Sequence, residues 1–572
     1  MTGASTRGHI MRVPTPRACH WFATVCLATL MATPVRAAAP AQIKIPLGDE
    51  ETIVFFGDSI TQQNLYTAYI ETFLIARFPR KRLLFWNAGI GGNKVDEALT
   101  RFDRDVAPLK PTIVVVNFGM NDGKYVPPDA AIRLHYKQGL QALVAKIRNV
   151  GARPLLCTPP AANSFFALYL EHYNETLAGL AEAVKEVARE QKLPVIDLFS
   201  AFRPFAEQAS PSPVLIPDGV HPNEAGHLVL AAPALQAFDA PKELGTIVVD
   251  GHNVTGSKGV SVANTTRKPG QLSFAAQLAY VPLFLPPVGR KGEAVKVAQA
   301  WNRLRMQVKS WPSRKNLRLL VDGHELAVLP PNKRGDVDLA NLPEAPWNKA
   351  SADLWREAQR RSDLQSTSWR TLGIDVSDLS KTLDTTPLAQ QSLHLWAKEA
   401  GLAMRTLVQP KTYNVSIEET DEVFIEALEL SPVYLFDLSP ASFDQAHPPE
   451  TDPQSVSWRK EPVVSRALDL ETALDHPKKT VVYARLILDA ASDGQVDMQL
   501  GSNDGLSVFV NGTRVLARNV SRGLKLGDDS VVASLRKGRN VVLFRVTQHE
   551  LRHGLAMQLR ALNGLQVQQV LP

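Results

Sequence analysis

The sequence predicts an α/β domain built on a parallel sheet of about five strands, followed by a mixed region and an antiparallel β-sandwich. Between residues 48 and 240, short apolar runs alternate with helical patterns, which is typical of a parallel sheet covered by helices on both faces. Beyond residue 416, short alternating segments separated by turn residues such as Asn511-Gly512 predict the sandwich. The chain has 572 residues, enough for two or three domains.

The elements of the first domain can be assigned in order. Its strands are predicted at 51–56, 83–88, 112–118, 153–158 and 194–199. Its helices are predicted at 64–78, about 95–105, 130–149, 165–191 and 224–238. In a fold of this kind, chemistry gathers in the loops beyond the carboxyl ends of the strands.

Residues 241–415 are interpreted as an accessory region of mixed structure. Strand-like segments open it, and a hairpin is predicted around Asp322-Gly323. Residues 346–404 then become helical and rich in tryptophan. The predicted domain ranges are therefore 48–240, 241–415 and 416–572.

The first 37 residues have the layout of a secretory signal peptide. Arginines without acids precede the short apolar stretch "WFATVCLATLMATPV", and small residues follow it. Cleavage is expected near Ala37 or Ala39, which would export the protein to the periplasm or the medium. The apolar stretch is too short for a stable membrane span, and no later apolar run approaches that length.

Removal of this leader changes the charge and the cysteine content. The formal net charge falls from +6 to +2, because four arginines and no acids leave, so the charge gives no support for nucleic-acid binding. Cys19 and Cys26 leave as well, and Cys157 remains alone in an apolar strand pattern. No internal disulfide is then expected, and Cys157 is interpreted as a core residue.

Four polar or glycine-rich loops fall on one edge of the predicted sheet. They are "FFGDSIT" after the first strand, "NAGIGGNK" after the second, "NFGMNDG" after the third and "PDGVHPNEAGH" after the fifth. Because the carboxyl ends of parallel strands meet at one edge, these loops are expected to converge.

The residue types in these loops suit acyl transfer. The Ser59 hydroxyl needs a base to take its proton, and His221 can do this near neutral pH. Asp218 lies three residues before His221, and a turn at Gly219 can bring its carboxylate to the imidazole Nδ1. Pro222 is predicted to open the last helix, which would leave His221 at the positive end of that helix.

Ester attack also creates an oxyanion, which requires preorganised donors. The backbone N–H groups of Ser59 and Gly92 and the side-chain amide of Asn121 are candidates.

Each loop also has an ordinary structural interpretation. Ser59 with Asp58 could cap a helix, the glycines 89–92 could form a tight turn, and Asn121-Asp122-Gly123 is common turn chemistry. Asp218 could likewise be a turn residue and Asn223 a cap, with His221 an exposed loop residue. The joint occurrence of four such loops, each after the expected strand, favours the nucleophile hypothesis.

The blocks "GDSIT", "NAGIGG", "GMND" and "DGVHPN" resemble the four blocks of the SGNH (GDSL-type) hydrolase superfamily, in the same order. The resemblance implies a flavodoxin-like three-layer fold over about residues 50–240. It implies that Ser59 is the nucleophile, that His221 and Asp218 complete a triad, and that Gly92 and Asn121 stabilise the oxyanion. Many members carry Asp-Thr after the second-block glycine, where this chain has Asn93-Lys94.

The resemblance implies a secreted esterase that removes small acyl groups, acetyl above all, from polysaccharides, without a metal or an organic cofactor. The alternatives are a lipase, arylesterase or lysophospholipase of the same superfamily, and a non-catalytic carbohydrate-binding protein on a hydrolase scaffold. The segment from Thr420 onward resembles β-sandwich modules attached to secreted polysaccharide-degrading proteins, especially in "LGSNDGLSVFVNG". An acylated polysaccharide or oligosaccharide is therefore the expected partner.

Residues 549–553, "HELRH", match the H-E-x-x-H zinc motif in letters only. That chemistry needs both histidines on one face of a sustained helix. Here the match lies between two strand patterns, so a loop is expected.

Overall fold

The computed structural model describes residues 44–165, 167–206, 215–285, 293–342, 345–370, 386–464, 466–474, 478–549 and 552–571. The predicted signal peptide, residues 1–37, lies outside this range. In the part of the chain that is described, no helix is both long and apolar enough to cross a membrane.

The first domain is built on a five-stranded parallel sheet in the order β2-β1-β3-β4-β5. Its strands are β1 (Glu50–Gly57), β2 (Arg82–Asn87), β3 (Ile113–Asn117), β4 (Arg153–Cys157) and β5 (Val195–Ile196). This strand order is that of flavodoxin-like folds, so the predicted fold class is confirmed. Three of the four loops singled out in the sequence directly follow β1, β2 and β3, whereas the fourth begins only beyond a further helix that follows β5.

Helices cover both faces of this sheet. They are α1 (Ser59–Gln62), α2 (Leu65–Arg77), α3 (Val95–Asp105), α4 (Ala130–Asn149), α5 (Tyr173–Gln191), α6 (Leu198–Ala206) and α7 (Glu224–Ala237). Successive residues of β1 point to opposite faces: Ile53 and Phe55 enter the core beneath α2 and α7, whereas Val54 and Phe56 enter the core beneath α3 and α4. This two-sided burial explains the continuous apolar strand sequences.

Two predicted boundaries in the first domain differ from the structure by more than one residue. The strand predicted at 194–199 ends at Ile196, because the Asp197 carboxylate accepts the backbone N–H of Ser200 and so caps α6. The helix predicted at 165–191 begins only at Tyr173, after a short 3-10 turn at Leu168–Leu170.

The described residues between 241 and 421 form two further sheets and three α-helices. One sheet has the order β13-β10-β6-β7 and the other β12-β11-β14-β9-β8, and both contribute to a single hydrophobic core. The strands are β6 (Glu243–Asp250), β7 (Asn253–Ser257), β8 (Val260–Lys268), β9 (Gln271–Leu278), β10 (Arg303–Ser310), β11 (Asn316–Val321), β12 (His324–Leu329), β13 (Val337–Asp338) and β14 (Lys411–Thr420). The helices are α8 (Glu293–Trp301), α9 (Trp347–Arg370) and α10 (Thr386–Ala403).

Helix α9 packs against the first domain. The Trp355 ring lies 5.5 Å from that of Tyr69 in α2. In the same helix, the Arg361 guanidinium makes two hydrogen bonds, of 2.6 and 2.5 Å, to the buried Glu71 carboxylate. The hydrolase-like sheet is therefore supported by chain that lies beyond residue 240.

The C-terminal part is an antiparallel β-sandwich, as predicted. One sheet follows β17-β15-β19-β24-β21-β22, with β16 and β26 also on β19, and the other follows β18-β25-β20-β23. The strands are β15 (Ala427–Leu430), β16 (Tyr434–Leu435), β17 (Arg459–Pro462), β18 (Ala467–Asp469), β19 (Thr480–Ala490), β20 (Gly494–Ser502), β21 (Leu506–Val510), β22 (Thr513–Arg518), β23 (Asp529–Leu535), β24 (Gly538–Gln548), β25 (Gly554–Ala561) and β26 (Val567–Gln569). The short helices are α11 (Pro440–Asp444), α12 (Pro448–Thr451) and α13 (Leu470–Ala473).

The "HELRH" segment joins β24 to β25. Because β24 ends at Gln548 and β25 begins at Gly554, His549 and His553 flank a connection between strands. Glu550 and Leu551 lie outside the described residues.

Candidate active site

Ser59 lies at the start of a helix that begins where the first strand ends. Asp58 is the N-cap of α1, and its carboxylate accepts the Ile60 backbone N–H at 3.0 Å. Ser59 is the first helical residue, so its N–H has no acceptor within the helix. The capping and nucleophile interpretations of "GDSIT" are therefore compatible: Asp58 is the cap, and Ser59 is the residue that the cap positions.

Two glycines allow α1 to lie close to the strand ends. A Cβ added at Gly57 would lie 2.6 Å from the Asn117 carbonyl oxygen and would also clash with the Thr61 side chain. A Cβ added at Gly89 would lie 2.8 Å from the Thr61 carbonyl carbon. Any larger residue at either position would push α1 away, so these glycines are required by close packing.

The structure brings Ser59, His221 and Asp218 into one hydrogen-bonded chain. The His221 Nε2 atom lies 2.9 Å from Ser59 Oγ, and its Nδ1 atom lies 2.7 Å from Asp218 Oδ2. Gly219 between the acid and the imidazole has φ +85°, a left-handed conformation that glycine adopts without strain. Asp218 and His221 are thus folded toward each other by a local turn, and Ser59 is supplied from 162 residues away.

The Asp218 carboxylate also accepts backbone donors. Although partial burial opposes it, hydrogen bonds from the His221 backbone and ring and from the Val220 backbone hold the Asp218 pKa below its ordinary value. Asp218 is therefore a carboxylate across the neutral range and can hold the Nδ1 proton of His221.

The last helix begins at Glu224 as predicted, but Pro222 does not open it. Asn223, not Pro222, is the N-cap of α7, because its side-chain oxygen accepts the Gly226 N–H at 3.0 Å. The asparagine side chain supplies the acceptor that orphan helix donors need, which proline cannot do. His221 consequently lies two residues before the cap.

The two remaining candidates lie on adjoining loops. Gly92 is exposed with φ +75°, and a Cβ at its neighbour Gly91 would lie 3.8 Å from Ser59 Cβ. The Asn121 Nδ2 atom donates to the Asn93 carbonyl oxygen at 3.2 Å. An amide nitrogen carries two hydrogens, so Asn121 keeps a second donor for a ligand.

The Asn93-Lys94 substitution relative to the family pattern is accommodated by a neighbouring loop. Asp122 Oδ1 accepts the Val95 N–H at 2.9 Å, and Glu97 accepts the Lys94 N–H at 2.8 Å. The first backbone donor of α3, the Val95 N–H, is thereby satisfied without a capping side chain at position 94.

Tyr125 was not singled out in the sequence. Its hydroxyl donates to Asn121 Oδ1 at 3.0 Å, and its ring stacks on Tyr173 at 4.9 Å. Because Oδ1 is engaged by a donor, the Nδ2 side of the Asn121 amide is fixed as the donating side. Lys124 and Tyr125 both have φ +56°, a strained conformation of the kind found at functional sites. Only the spacing of four residues from Asn121 could have signalled this contact.

His227, the second histidine of "HPNEAGH", is fully buried beneath the site. Its Nδ1 accepts the Tyr66 backbone N–H at 3.2 Å, so Nε2 carries the proton and donates to Gln63 Oε1 at 2.9 Å. Burial lowers the His227 pKa to about 3. The neutral His227 side chain therefore links α7 to the junction of α1 and α2 through two hydrogen bonds.

Two buried carboxylates lie under the loops of the site. Burial, with a smaller contribution from the charge of Asp122, raises the pKa of Asp58 to about 7. Burial, with a smaller contribution from the charge of Asp96, raises the pKa of Asp122 to about 6. Both are caps, of α1 and α3, so their protonation bears on the elements that carry Ser59 and Gly92.

Within the described part of the chain, no three His, Cys, Asp or Glu side chains are arranged to hold a metal ion.

Comparison with known proteins identifies the segment that carries this site. Residues 55–229 match the model of the GDSL-like Lipase/Acylhydrolase family. This segment is a GDSL-like acylhydrolase domain. The predicted resemblance is confirmed, and the protein is a carboxylic ester hydrolase.

Three relatives define what the acylhydrolase domain is similar to. An acetylxylan esterase of Geobacillus stearothermophilus is 28% identical over 211 residues, which cover 32% of this chain and 92% of that protein. The solved structure of an acetylxylan esterase from the same species is 27% identical, with a TM-score of 0.30, over 35% of this chain and 98% of that one.

A gut microbial diltiazem-metabolizing enzyme shares the fold over a longer stretch. It is 19% identical with a TM-score of 0.55, and the match covers 66% of this chain and 99% of that chain. This likeness shows that a stretch longer than the acylhydrolase domain alone shares the fold of a solved structure.

Proposed function

We propose that the protein is an exported serine esterase that hydrolyses small acyl esters, acetyl esters above all, on polysaccharides. The observation that carries the proposal is the hydrogen-bonded chain in which His221 lies 2.9 Å from Ser59 and 2.7 Å from Asp218. The acetylxylan esterase relative, which the match covers over 92% of its length, supports the substrate class.

The reaction proceeds through an acyl-enzyme. Ser59 Oγ attacks the ester carbonyl carbon as its proton passes to His221 Nε2, and the carbonyl oxygen becomes an oxyanion. When the tetrahedral intermediate collapses, the carbon–oxygen bond to the sugar breaks. The departing sugar oxygen takes the proton from His221, which leaves the acyl group on Ser59.

Water then completes the cycle. His221 Nε2 accepts a proton from water as that water attacks the acyl carbon, and a second tetrahedral intermediate forms. Its collapse breaks the bond to Ser59 Oγ, which regains the proton from His221, and the acid is released. Asp218 holds the Nδ1 proton and stabilises the imidazolium at both stages.

The oxyanion donors are the N–H groups of Ser59 and Gly92 and the amide of Asn121. Ser59 N–H lies at a helix N-terminus, where the peptide dipoles favour negative charge. The second hydrogen of Asn121 Nδ2 adds a side-chain donor, and Tyr125 fixes its orientation.

The test compares the purified protein with Ser59→Ala on p-nitrophenyl acetate, longer-chain p-nitrophenyl esters and acetylated xylan. Wild type is expected to release acetate and to prefer short acyl groups. Ser59→Ala should lower kcat by about 10³-fold or more, because the covalent route is lost. Activity that survives in Ser59→Ala would remove the nucleophile assignment, and a preference for long acyl chains would favour a lipase.

Export is tested separately. Mass spectrometry of the protein recovered from the periplasm or medium should give a mature N-terminus close to Ala37 or Ala39. A full-length chain retained in the cytoplasm would contradict this part of the proposal.

A further inference from the structure

Exposed aromatic side chains are few in the described part of the chain, and two of them lie beside the candidate active site. Phe165, Tyr169 and Trp396 are 54%, 61% and 40% exposed. Phe165 and Tyr169 belong to the connection between β4 and α5, whereas Trp396 lies in α10. Large aromatic side chains left in solvent near a reactive site commonly mark a binding surface.

The connection that carries Tyr169 packs against the turn between Asp218 and His221. The backbone N–H of Asn163 donates to the Gly219 carbonyl oxygen at 2.8 Å. A Cβ added at Gly219 would lie 2.6 Å from Leu170 Cδ1, so the residue next to Tyr169 contacts this turn. Tyr169 is thereby fixed close to the histidine side of the site.

Tyr169 also contacts the oxyanion side of the site. Its ring lies 5.9 Å from that of Tyr125 at an angle of 68°, an edge-to-face arrangement. Tyr125 in turn stacks on the buried Tyr173 and donates to Asn121. The exposed Tyr169 ring is therefore held by a supported aromatic cluster and not by a free loop.

We propose that Tyr169, supported by Tyr125, forms a stacking subsite for a sugar ring of the acylated substrate. The inference rests on the proposed function and adds the surface that recognises the carbohydrate. One face of a pyranose ring presents C–H groups that pack on an aromatic ring, and the hydroxyls at its edge stay in contact with water or the phenol oxygen. An open surface, with Tyr169 61% exposed, lets a polymer lie across it without threading.

The alternative occupant, a long acyl chain, fits this surface poorly. Burial of a chain requires apolar walls on several sides, because the hydrophobic gain is proportional to the area removed from water. Tyr169 and Phe165 are both more than half exposed, so they provide an open surface and not apolar walls on several sides.

The C-terminal sandwich lacks a comparable platform among its described residues. From residue 422 onward, the exposed large hydrophobic side chains among the described residues are all aliphatic. Trp458 is half-buried, with the Arg485 guanidinium 4.0 Å above its ring. Aromatic recognition of sugar is therefore placed on the acylhydrolase domain itself.

The test measures kcat/KM of wild type, Tyr169→Ala, Tyr169→Leu, Tyr169→Phe and Trp396→Ala. The substrates are acetylated xylo-oligosaccharides, p-nitrophenyl acetate and p-nitrophenyl octanoate. The readout is the ratio of kcat/KM on the acetylated oligosaccharide to kcat/KM on p-nitrophenyl acetate. Thermal unfolding of each variant verifies the fold.

Tyr169→Ala and Tyr169→Leu should both lower this ratio by about tenfold, because leucine restores apolar volume but no ring face. Tyr169→Phe should keep the ratio within about twofold. Trp396→Ala, the matched loss of an exposed aromatic, should leave it unchanged.

Three results would overturn the subsite: an unchanged ratio in Tyr169→Ala, a leucine variant that behaves as wild type, or a loss confined to the octanoate ester. These are distinct from failure of the proposed function. If wild type cleaves p-nitrophenyl acetate but releases no acetate from acetylated oligosaccharides, both the proposed polysaccharide substrate and the proposed subsite are contradicted. If wild type deacetylates the oligosaccharides and substitution of Tyr169 leaves the ratio unchanged, only the subsite is contradicted.

Discussion

Tyr125 acts on the site through the side chain of Asn121. Replacement by phenylalanine keeps the ring on Tyr173 and removes the hydroxyl that donates to Asn121 Oδ1. The amide is then free to turn, so Tyr125→Phe should lower kcat by about 3–10-fold with little change in KM. Steady-state kinetics on p-nitrophenyl acetate measures this, with Tyr434→Phe in β16 as the control. An unchanged kcat would show that the hydroxyl does not orient the amide.

Asp58 makes stability depend on pH. Burial raises its pKa to about 7, above the value in the unfolded chain, so the folded state holds a proton that the unfolded state releases. The free energy of unfolding should therefore fall as pH rises from about 4 to about 7. Asp58→Asn keeps the capping oxygen and removes this titration, so it should be more stable than wild type by on the order of 2–4 kcal/mol at pH 8 and similar to it near pH 4.

Denaturant unfolding at several pH values measures the difference between the two proteins. Asp129→Asn is the matched control, because Asp129 caps α4 at an exposed position. Parallel pH profiles for wild type and Asp58→Asn would contradict the raised pKa of Asp58.

The sequence predicts those site residues that are recognisable from the residues next to them in the chain. Ser59 follows a strand directly, and Asp218 and His221 are three residues apart, so loop position and spacing were enough to nominate them. Tyr125 and His227 were missed because their contacts are made across loops and helices that only the folded chain brings together. The residues around Tyr125 in the sequence do not indicate its left-handed backbone conformation.

At the scale of elements, α9 is joined to α2 by a buried ion pair. Glu71 is 3% exposed and burial raises its pKa, an effect that the Arg361 charge opposes. Arg361→Ala should lower the free energy of unfolding by about 3–5 kcal/mol, because it leaves a buried carboxylate without its partner. Glu71→Leu combined with Arg361→Met should restore most of this loss.

Urea or guanidinium unfolding checks this prediction. Arg356→Ala in the same helix is the control, since Arg356 pairs with Asp353 at the surface and should cost no more than about 1 kcal/mol. Equal losses for Arg361→Ala and Arg356→Ala would show that the buried pair does not stabilise the contact between α2 and α9.

Elements with strong periodicity were predicted closely, and short ones were not. Helix α4 occupies 130–149 as predicted, because its cap Asp129 and its apolar stripe agree. The segment "PVIDLF" predicts a strand that includes the start of α6, because it is apolar except for Asp197, the residue at which the strand gives way to the helix. The accessory region was called mixed, and its two sheets could not be resolved because their pairing joins strands distant in the chain, such as β6 with β10.

At the scale of the whole molecule, the core beneath α2 extends beyond the acylhydrolase segment. It includes residues from the accessory region, namely Val281, Leu283, Trp301, Leu354, Trp355, Ala358, Met404 and Val408. The domain boundary at residue 240 remains a prediction. Side chains of the accessory region, as far along the chain as Val408, pack in the same core as the sheet. The C-terminal sandwich has a separate core.

Truncation should separate these contributions. A chain that ends after residue 240 should aggregate, because the α2 face covered by Trp355 becomes exposed. A chain that ends after residue 421 keeps the core beneath α2 and the core of the accessory region, so it should remain soluble and hydrolyse p-nitrophenyl acetate within about threefold of the full protein. Solubility, circular dichroism and esterase assay measure this. Full activity from the shorter chain would contradict it.

The close approach of α1 to Gly57 has a consequence for mutational scanning. A library of variants screened for folded protein, without regard to turnover, should accept many residues at Ser59. The same screen should still reject all substitutions at Gly57, since even a methyl group collides with main-chain atoms of β3. The signature "GDS" therefore combines two kinds of constraint, one imposed by chemistry and one by crowding, and only a screen blind to turnover can tell them apart.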